Sequence, residues 1–435
     1  MGGVGRWVSA VLSMAVSMAV SVAVLASAPA SAQDVRVHHS LFGAHDSSAD
    51  SVSLTTIGEG SVRLWDVGVR WYQVETSPGV YDWTRLDQLV AAAQAAHAEV
   101  TMVVAMTPSF YAAAPRDPPS SVGPYRRFVR ALMERYRDFN GSRGIAAYQA
   151  WDEVNISTFW SGSLAQMARL TRAMARVRDV EDPTAKVVGP AMVTRLPFEL
   201  DGIYDFYHQR IGGRPVWSYV DAVSLDLYPM PTYGDRIGVP EDGIRLLRQA
   251  RGRLREAGVP RSLPVWDSEI NYGLNAGDQA NTPATPVPDA RQAANVVRTY
   301  LLSAAAGVRR VYWYTYAMGE YTQGGSIANT RLSTAYHPEE LTPAGRAYQL
   351  VQQWMHGTLL GTKGHRPCAR DRRGTYTCVV RDSTGTRRIY WNPFRHARVK
   401  LGGHARAAQG VLGDTRSVAP GSSLRVGWRP VMIGR

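Results

Sequence analysis

Between Phe42 and Trp354 the chain repeats one pattern, a short β-type run followed by an amphipathic helical run. Candidate strands are Leu41–Ala44, Ser61–Trp65, Val100–Met106, Ile145–Trp151, Ala185–Gly189, Ala222–Tyr228, Leu263–Ser268 and Arg310–Tyr314. Between them lie helical runs such as Trp83–His97, Pro124–Phe139, Leu164–Val180, Gly243–Ala257 and Ala290–Ala306. The first of these sets Leu86, Leu89, Val90 and Ala93 on one face, with Asp82 placed to cap its N-terminus. Eight strands, each followed by a crossover, predict a (β/α)8 barrel. The rival topology, a doubly wound open sheet, usually carries a Gly-rich phosphate turn after its first strand. Here that position reads FGAHDSS, which is no such turn. Gly345–Gly357 reads as the helix that closes the barrel, and no internal repeat is present. Thr282–Pro288, TPATPVP, reads as a loop after strand seven.

After Gly357 the texture changes. TYTCVVRD, RRIYWNP, ARVKL and SLRVGW are short alternating runs separated by turn residues, so residues 358–435 predict a small β-sandwich docked on the barrel. The two cysteines, Cys368 and Cys378, flank a turn-like segment and are expected to form a disulfide across a hairpin. They lack the surrounding His or Cys needed for a zinc site.

Residues 1–32 stand apart from the fold. Arg6 precedes an apolar run from Trp7 to Ala26, and Ala30-Ser31-Ala32 is a small-x-small cleavage signature before Gln33. A removable signal peptide is expected, which leaves a catalytic barrel over 33–357 in a secreted or cell-envelope protein. The apolar run is long enough to span a bilayer, so a retained anchor is the alternative. The net charge of +13 is almost all arginine, with lysine only at 186, 363 and 400. Such a surface suits anionic polymers, but the charges are dispersed and form no arginine–aromatic array, which argues against nucleic acid. A monomer is the expected state.

In a barrel of this kind, chemistry sits where strands end at the C-terminal face. Strand two ends in Arg63, Trp65 and Asp66, and strand four in Asp152 and Glu153. Strand six puts Ser224, Asp226 and Tyr228 on one face. Strand seven ends at Glu269, and strand eight offers Trp313. An adjacent carboxylate pair at the mouth of a buried strand is costly to desolvate unless pairing or chemistry holds it there. A capping Asp with a first-turn Glu is the plain structural alternative. Glutamates at the mouths of strands four and seven would face each other, and carboxyls about 5–5.5 Å apart suit a retaining glycosidase.

The segment Trp151-Asp152-Glu153-Val154-Asn155, followed by Phe159-Trp160, resembles the strand-four motif of glycoside hydrolase clan A. The resemblance is strongest to family 39, whose motif reads WNEPN, with family 5 also similar. VRLWDVGVRWYQVETSPGVYDWTRLD (62–87) resembles the second strand of that family and the loop after it, and PAGRAYQLVQQWMHG resembles its closing helix. The resemblance implies Glu153 as general acid/base and Glu269 as nucleophile, with Arg63 steadying the nucleophile and Tyr228 near it. The implied reaction is double displacement on an extracellular or cell-wall polysaccharide, with neither metal nor cofactor. Transglycosylation on the same machinery and a non-catalytic glycan-binding barrel are the alternatives. Trp65, Trp71, Trp160 and Trp313 are candidates for sugar stacking, against the alternative of core packing. His45 is a candidate for binding sugar hydroxyls or for a structural hydrogen bond.

The chain departs from the family pattern at two places. Asp152 stands where clan A enzymes usually carry Asn, and Asp226 where related enzymes often carry His. An ionised Asp accepts hydrogen bonds but donates none, so the pair points to a sugar presenting donors, such as an amino group. Alternatively, Asp152 is paired with an arginine and simply replaces Asn.

Overall fold

The computed structural model describes residues 1–2, 33–45, 56–229, 238–273, 287–317, 331–334, 337, 339–361 and 365–434. The apolar N-terminal run, and residues 282–286 of the Pro-rich segment, lie outside the described residues.

Eight parallel strands close into a barrel: β1 (Phe42–His45), β2 (Ser61–Leu64), β3 (Glu99–Val103), β4 (Ala147–Gln149), β5 (Lys186–Val193), β6 (Ala222–Asp226), β7 (Val265–Ile270) and β8 (Val308–Tyr314). Closure comes from β8 pairing with β1, Val311 opposite Phe42 and Tyr314 opposite His45. Helices α1 (Thr84–Ala95), α2 (Val122–Tyr136), α3 (Leu164–Glu181), α4 (Pro197–Tyr207), α5 (Pro240–Glu256), α6 (Asp289–Ala305) and α7 (Pro343–Met355) follow β2 to β8 in turn. The predicted barrel is therefore the fold, its buried parallel strands covered on their outer face by helices.

Local chemistry explains the element ends. The α1 face expected to be apolar, Leu86, Leu89, Val90 and Ala93, is buried. Asp82 caps it from just outside, its Oδ1 accepting from the Thr84 N–H at 2.9 Å. Strand β5 runs past the expected end at Gly189, through Pro190 to Val193. Opposite it, Ala222 pairs with Val188 and Ser224 with Ala191, so β5 carries one extra residue there. That bulge accommodates a proline that has no N–H for the ladder, which is why Gly-Pro reads as a terminator in sequence but is not one here. Gly189 is required at this bend, since a Cβ would lie 2.3 Å from the Tyr207 hydroxyl.

The floor of the barrel is filled by Ala147, Val188, Ala222, Trp266 and Tyr312. The Tyr312 hydroxyl shares a hydrogen bond with Thr101 at 2.8 Å. The interior is a packed core, and its upper layers turn polar toward the strand C-termini.

Past α7 the chain forms an antiparallel sheet that includes β9 (Tyr376–Asp382), β10 (Gly385–Trp391) and the last strand, Val431–Gly434. A two-stranded ribbon, Ala397–Lys400 with Ser423–Val426, packs Leu424 and Val426 against Tyr390, Ala408 and Ile433, making the predicted sandwich. The chain's N-terminal strand, Val35–Arg36, joins this sheet through Thr358–Leu359. The sandwich docks on the barrel: the Trp391 indole donates to Glu241 at 2.9 Å and the Trp354 indole to Gln409 at 2.8 Å. Cys368 and Cys378 form the expected disulfide.

Candidate active site

The upper barrel interior is organised by one buried guanidinium. Arg63 at the end of β2 donates through Nη1 to Glu269 at 2.5 Å, through Nη2 to Asp152, and through Nε to Gln149 at 3.1 Å. Burial alone would favour the neutral guanidine, but Asp152, Glu269 and Asp226 outweigh it and raise the Arg63 pKa. The other carboxylate oxygen of Glu269 accepts from the Tyr228 hydroxyl at 2.8 Å. Burial and the neighbouring Glu269 keep that phenol protonated by pushing its pKa well up.

Glu269 reaches the interior through a register change. From Leu225 opposite Asp267, pairing moves to Asp226 opposite Glu269, so β7 carries one extra residue at Ser268. Strict alternation would send Ser268 and Glu269 to opposite faces. With the bulge, Ser268 donates to Asp226 Oδ1 at 2.6 Å while Glu269 meets Arg63. Ser224 in turn donates to Ser268 at 2.6 Å.

Glu153 is held by unusual backbone. Trp151 has φ of 126° and Glu153 φ of 40°, both in the region that side chains rarely occupy. The strand therefore breaks after Gln149, and consecutive acids serve different partners: Asp152 turns to Arg63, and Glu153 faces the other carboxylates. Such strain is retained where surrounding structure enforces it. The Trp151 indole supplies part of that enforcement by donating to the Phe159 carbonyl at 2.9 Å. Asn155 does the same further on, bonding Val193 and Glu199 backbone.

Four carboxyls, Asp152, Glu153, Asp226 and Glu269, thus crowd one site, and Arg63 bonds two of them, Asp152 and Glu269. Burial, reinforced by the charges of Asp226, Asp152 and Glu269, pushes Glu153 well above the usual carboxylate range, with Arg195 opposing. Burial and Asp152 push Asp226 up to about 8, and Glu269 likewise to about 8. Glu269 accepts from both Arg63 and Tyr228, whereas Asp226 has one serine donor and its Oδ2 is buried without a hydrogen-bond partner. Glu153 therefore holds its proton most strongly, while the two donors on Glu269 favour its anion.

Asp152, Asp226 and Glu269 bring oxygens within 4.8 Å of one another, a spacing a divalent cation could bridge. Arg63 already supplies positive charge to two of the three.

Beside this cluster, His45 Nε2 bonds Asp66 at 2.6 Å, and its Nδ1 lies 3.9 Å from Glu269. The Tyr314 hydroxyl donates to the other Asp66 oxygen at 2.7 Å and its ring meets the His45 ring edge-on. Burial would raise the Asp66 carboxyl, but His45, Tyr314 and Arg70 outweigh it and hold it well below the usual range.

The structure thus brings Arg63, Asp152, Glu153, Asp226, Tyr228, Glu269 and His45 together. The tryptophans behave differently. Trp313 alternates with the inward Tyr312 and Tyr314, so it points outward and packs on Tyr272 in the main apolar core. Tyr314, not Trp313, is the β8 side chain at the site. Trp160 is buried, meets Trp151 edge-on and donates to the Ser163 carbonyl at 3.2 Å. Trp65 is buried between Phe159 and the Arg70 guanidinium, and Trp71 stacks on Phe128. These four therefore support the site by packing. Sequence reading missed Gln149, which accepts from Arg63 and donates to the Trp151 carbonyl at 2.8 Å, tying the guanidinium to the strained turn. Its only signal was an amide inside a strand otherwise apolar.

The fold is similar to that of solved glycoside hydrolases. A glucosidase from Croceicoccus marinus superposes with a TM-score of 0.65 at 15% identity, covering 92% of this chain and 97% of that one. A family 39 glycoside hydrolase from the gut symbiont Bacteroides cellulosilyticus gives 0.65 at 16%, covering 90% and 80%. A family 51 α-L-arabinofuranosidase from Bifidobacterium longum gives 0.60 at 11%, covering 92% and 97%. No family model matches the sequence, and no curated protein does.

Proposed function

We propose that the protein is a secreted retaining glycoside hydrolase acting on an extracellular or cell-wall polysaccharide. The observation that carries this reading is the asymmetry of the two glutamates. Glu269 is gripped by Arg63 and Tyr228, which favours the anion needed to attack an anomeric carbon. Glu153 sits among carboxylates that hold its proton, which suits an acid that protonates the leaving oxygen. In the first step the Glu269 oxygen bonds to the anomeric carbon as the glycosidic C–O bond breaks, and the Glu153 proton goes to the departing oxygen. In the second, Glu153 takes a proton from water as that water displaces Glu269. The folds of the three glycosidases above support this reading.

The acidic pocket favours a neutral or amino-bearing sugar over an anionic one. Asp152 is committed to Arg63, as in the plain alternative. The unpartnered oxygen of Asp226 is therefore the better candidate for contacting a sugar donor.

The test uses an aryl glycoside with an activated leaving group. Glu269→Ala is expected to abolish turnover. Glu153→Ala is expected to retain the first step, and added azide to restore turnover. Loss in both variants without rescue, or full activity in either, overturns the assignment.

A further inference from the structure

On the flank of the barrel, lined by none of the active-site residues above, α5, the end of α6 and the disulfide hairpin of the sandwich enclose a groove of about 510 Å³. Its lining includes Arg245, Arg248, Arg251, Arg366 and Arg370, against the carboxylates of Glu241 and Asp242. Glu241 is already taken by Arg298 and the Trp391 indole, and Asp242 pairs with Arg245 at 3.4 Å. Among the described residues, Arg248, Arg251, Arg366 and Arg370 form no salt bridge, so the groove holds uncompensated positive charge.

The cations also crowd one another. Burial, then the charges of Arg366 and Arg255, lower the Arg251 pKa, although its Nη1 is anchored on the Ala306 carbonyl at 2.7 Å. At one end Phe394 is 57% exposed, with the Arg370 guanidinium 5.0 Å from its ring centre. Several guanidinium groups lining one groove, beside a partly exposed aromatic ring, suit a ligand that carries anionic groups on an apolar-edged ring. One exposed ring does not provide the row of stacking platforms that single-stranded nucleic acid uses.

We propose that this groove is a second, non-catalytic site that binds an anionic polysaccharide through its carboxylate or sulfate groups. Arg248, Arg366 and Arg370 supply the guanidinium groups and Phe394 a sugar-facing ring. The volume accommodates a short run of sugar units. The site complements the acidic barrel mouth: it takes the anionic part of a matrix that the mouth repels, and raises the local concentration of whatever the barrel acts on. It stands independently of the proposed hydrolase activity.

The experiment is titration calorimetry of the full chain with polygalacturonate, dextran sulfate, a neutral cello-oligosaccharide and a thymidine homopolymer. The proteins are wild type, the double variant Arg248→Glu/Arg366→Glu, and Glu269→Ala. Thermal melting of each confirms the fold. Expected is binding of at least one polyanionic glycan, weakened by salt, and about 10-fold or more weaker in the double variant. Glu269→Ala is expected to bind as wild type does. Preference for one polyanion over the other assigns the ligand group as carboxylate or sulfate. The proposal is overturned if neither polyanion binds, if a folded double variant binds equally, if the neutral glycan binds as tightly, if binding is lost in Glu269→Ala, or if the nucleic acid binds more tightly than both glycans.

Discussion

Replacing Asp226 with Asn isolates the electrostatics of the cluster. Asn keeps the acceptor for Ser268 and removes the charge, so packing is largely preserved. In the folded protein burial and Asp152 push the Asp226 carboxyl up to about 8 from an ordinary 3.8. A raised carboxyl pKa means that the folded state binds more protons than the unfolded state between those values. Stability from this group is therefore fully present below the unfolded pKa and is lost as pH rises through the folded one. At about 1.4 kcal/mol per tenfold change, the gap corresponds to roughly 6 kcal/mol, part of it shared with Glu269. Urea unfolding from about pH 5 to 9 measures it. Wild type is expected to lose several kcal/mol across that range, and Asp226→Asn to lose markedly less. The same substitution removes the foremost charge holding the Glu153 proton, so the alkaline limb of kcat/KM is expected to move to lower pH. A variant with the wild-type slope of stability and an unmoved alkaline limb refutes this account of the cluster.

Tyr228→Phe removes one donor from Glu269 and is expected to cost about 1–2 kcal/mol of transition-state stabilisation, read as a fall in kcat/KM of roughly tenfold with an unchanged melting temperature. Arg63→Met leaves Asp152 and Glu269 without their common partner. It is expected to destabilise the fold by about 3–5 kcal/mol at neutral pH and less in acid, where both carboxyls are neutral, as chemical denaturation will record. Asp152→Asn keeps an acceptor for Arg63 but removes its charge, and is expected to lower turnover without switching sugar preference; a switch on a panel of aryl glycosides contradicts the view that Asp226, not Asp152, faces the sugar. Replacing Cys368 and Cys378 with Ser is expected to cost roughly 2–3 kcal/mol, confined to the sandwich, and intact mass with and without reductant reports the bond.

The barrel was legible because its information is local. Each helix announces itself by period and each buried strand by an apolar run, and only a few topologies can bury such a series. The carboxylates were legible because strand ends in a barrel converge, so Glu153 and Glu269 could be placed without knowing any distance. Tertiary structure decided which side chains at those ends point inward. The bulge in β7 turns both Ser268 and Glu269 toward Asp226, against the alternation that sequence periodicity assumes. The positive φ at Trp151 and Glu153 separates two adjacent acids into a partner of Arg63 and a free acid. Trp313 and Trp160, aromatic residues at or near strand ends, are buried, Trp313 by strand alternation and Trp160 beside Trp151. Sequence carries residue type and period, which suffice for the fold and for the chemistry available. Register, backbone strain and the sharing of one buried guanidinium arise from long-range contacts, and these assign each acid its task.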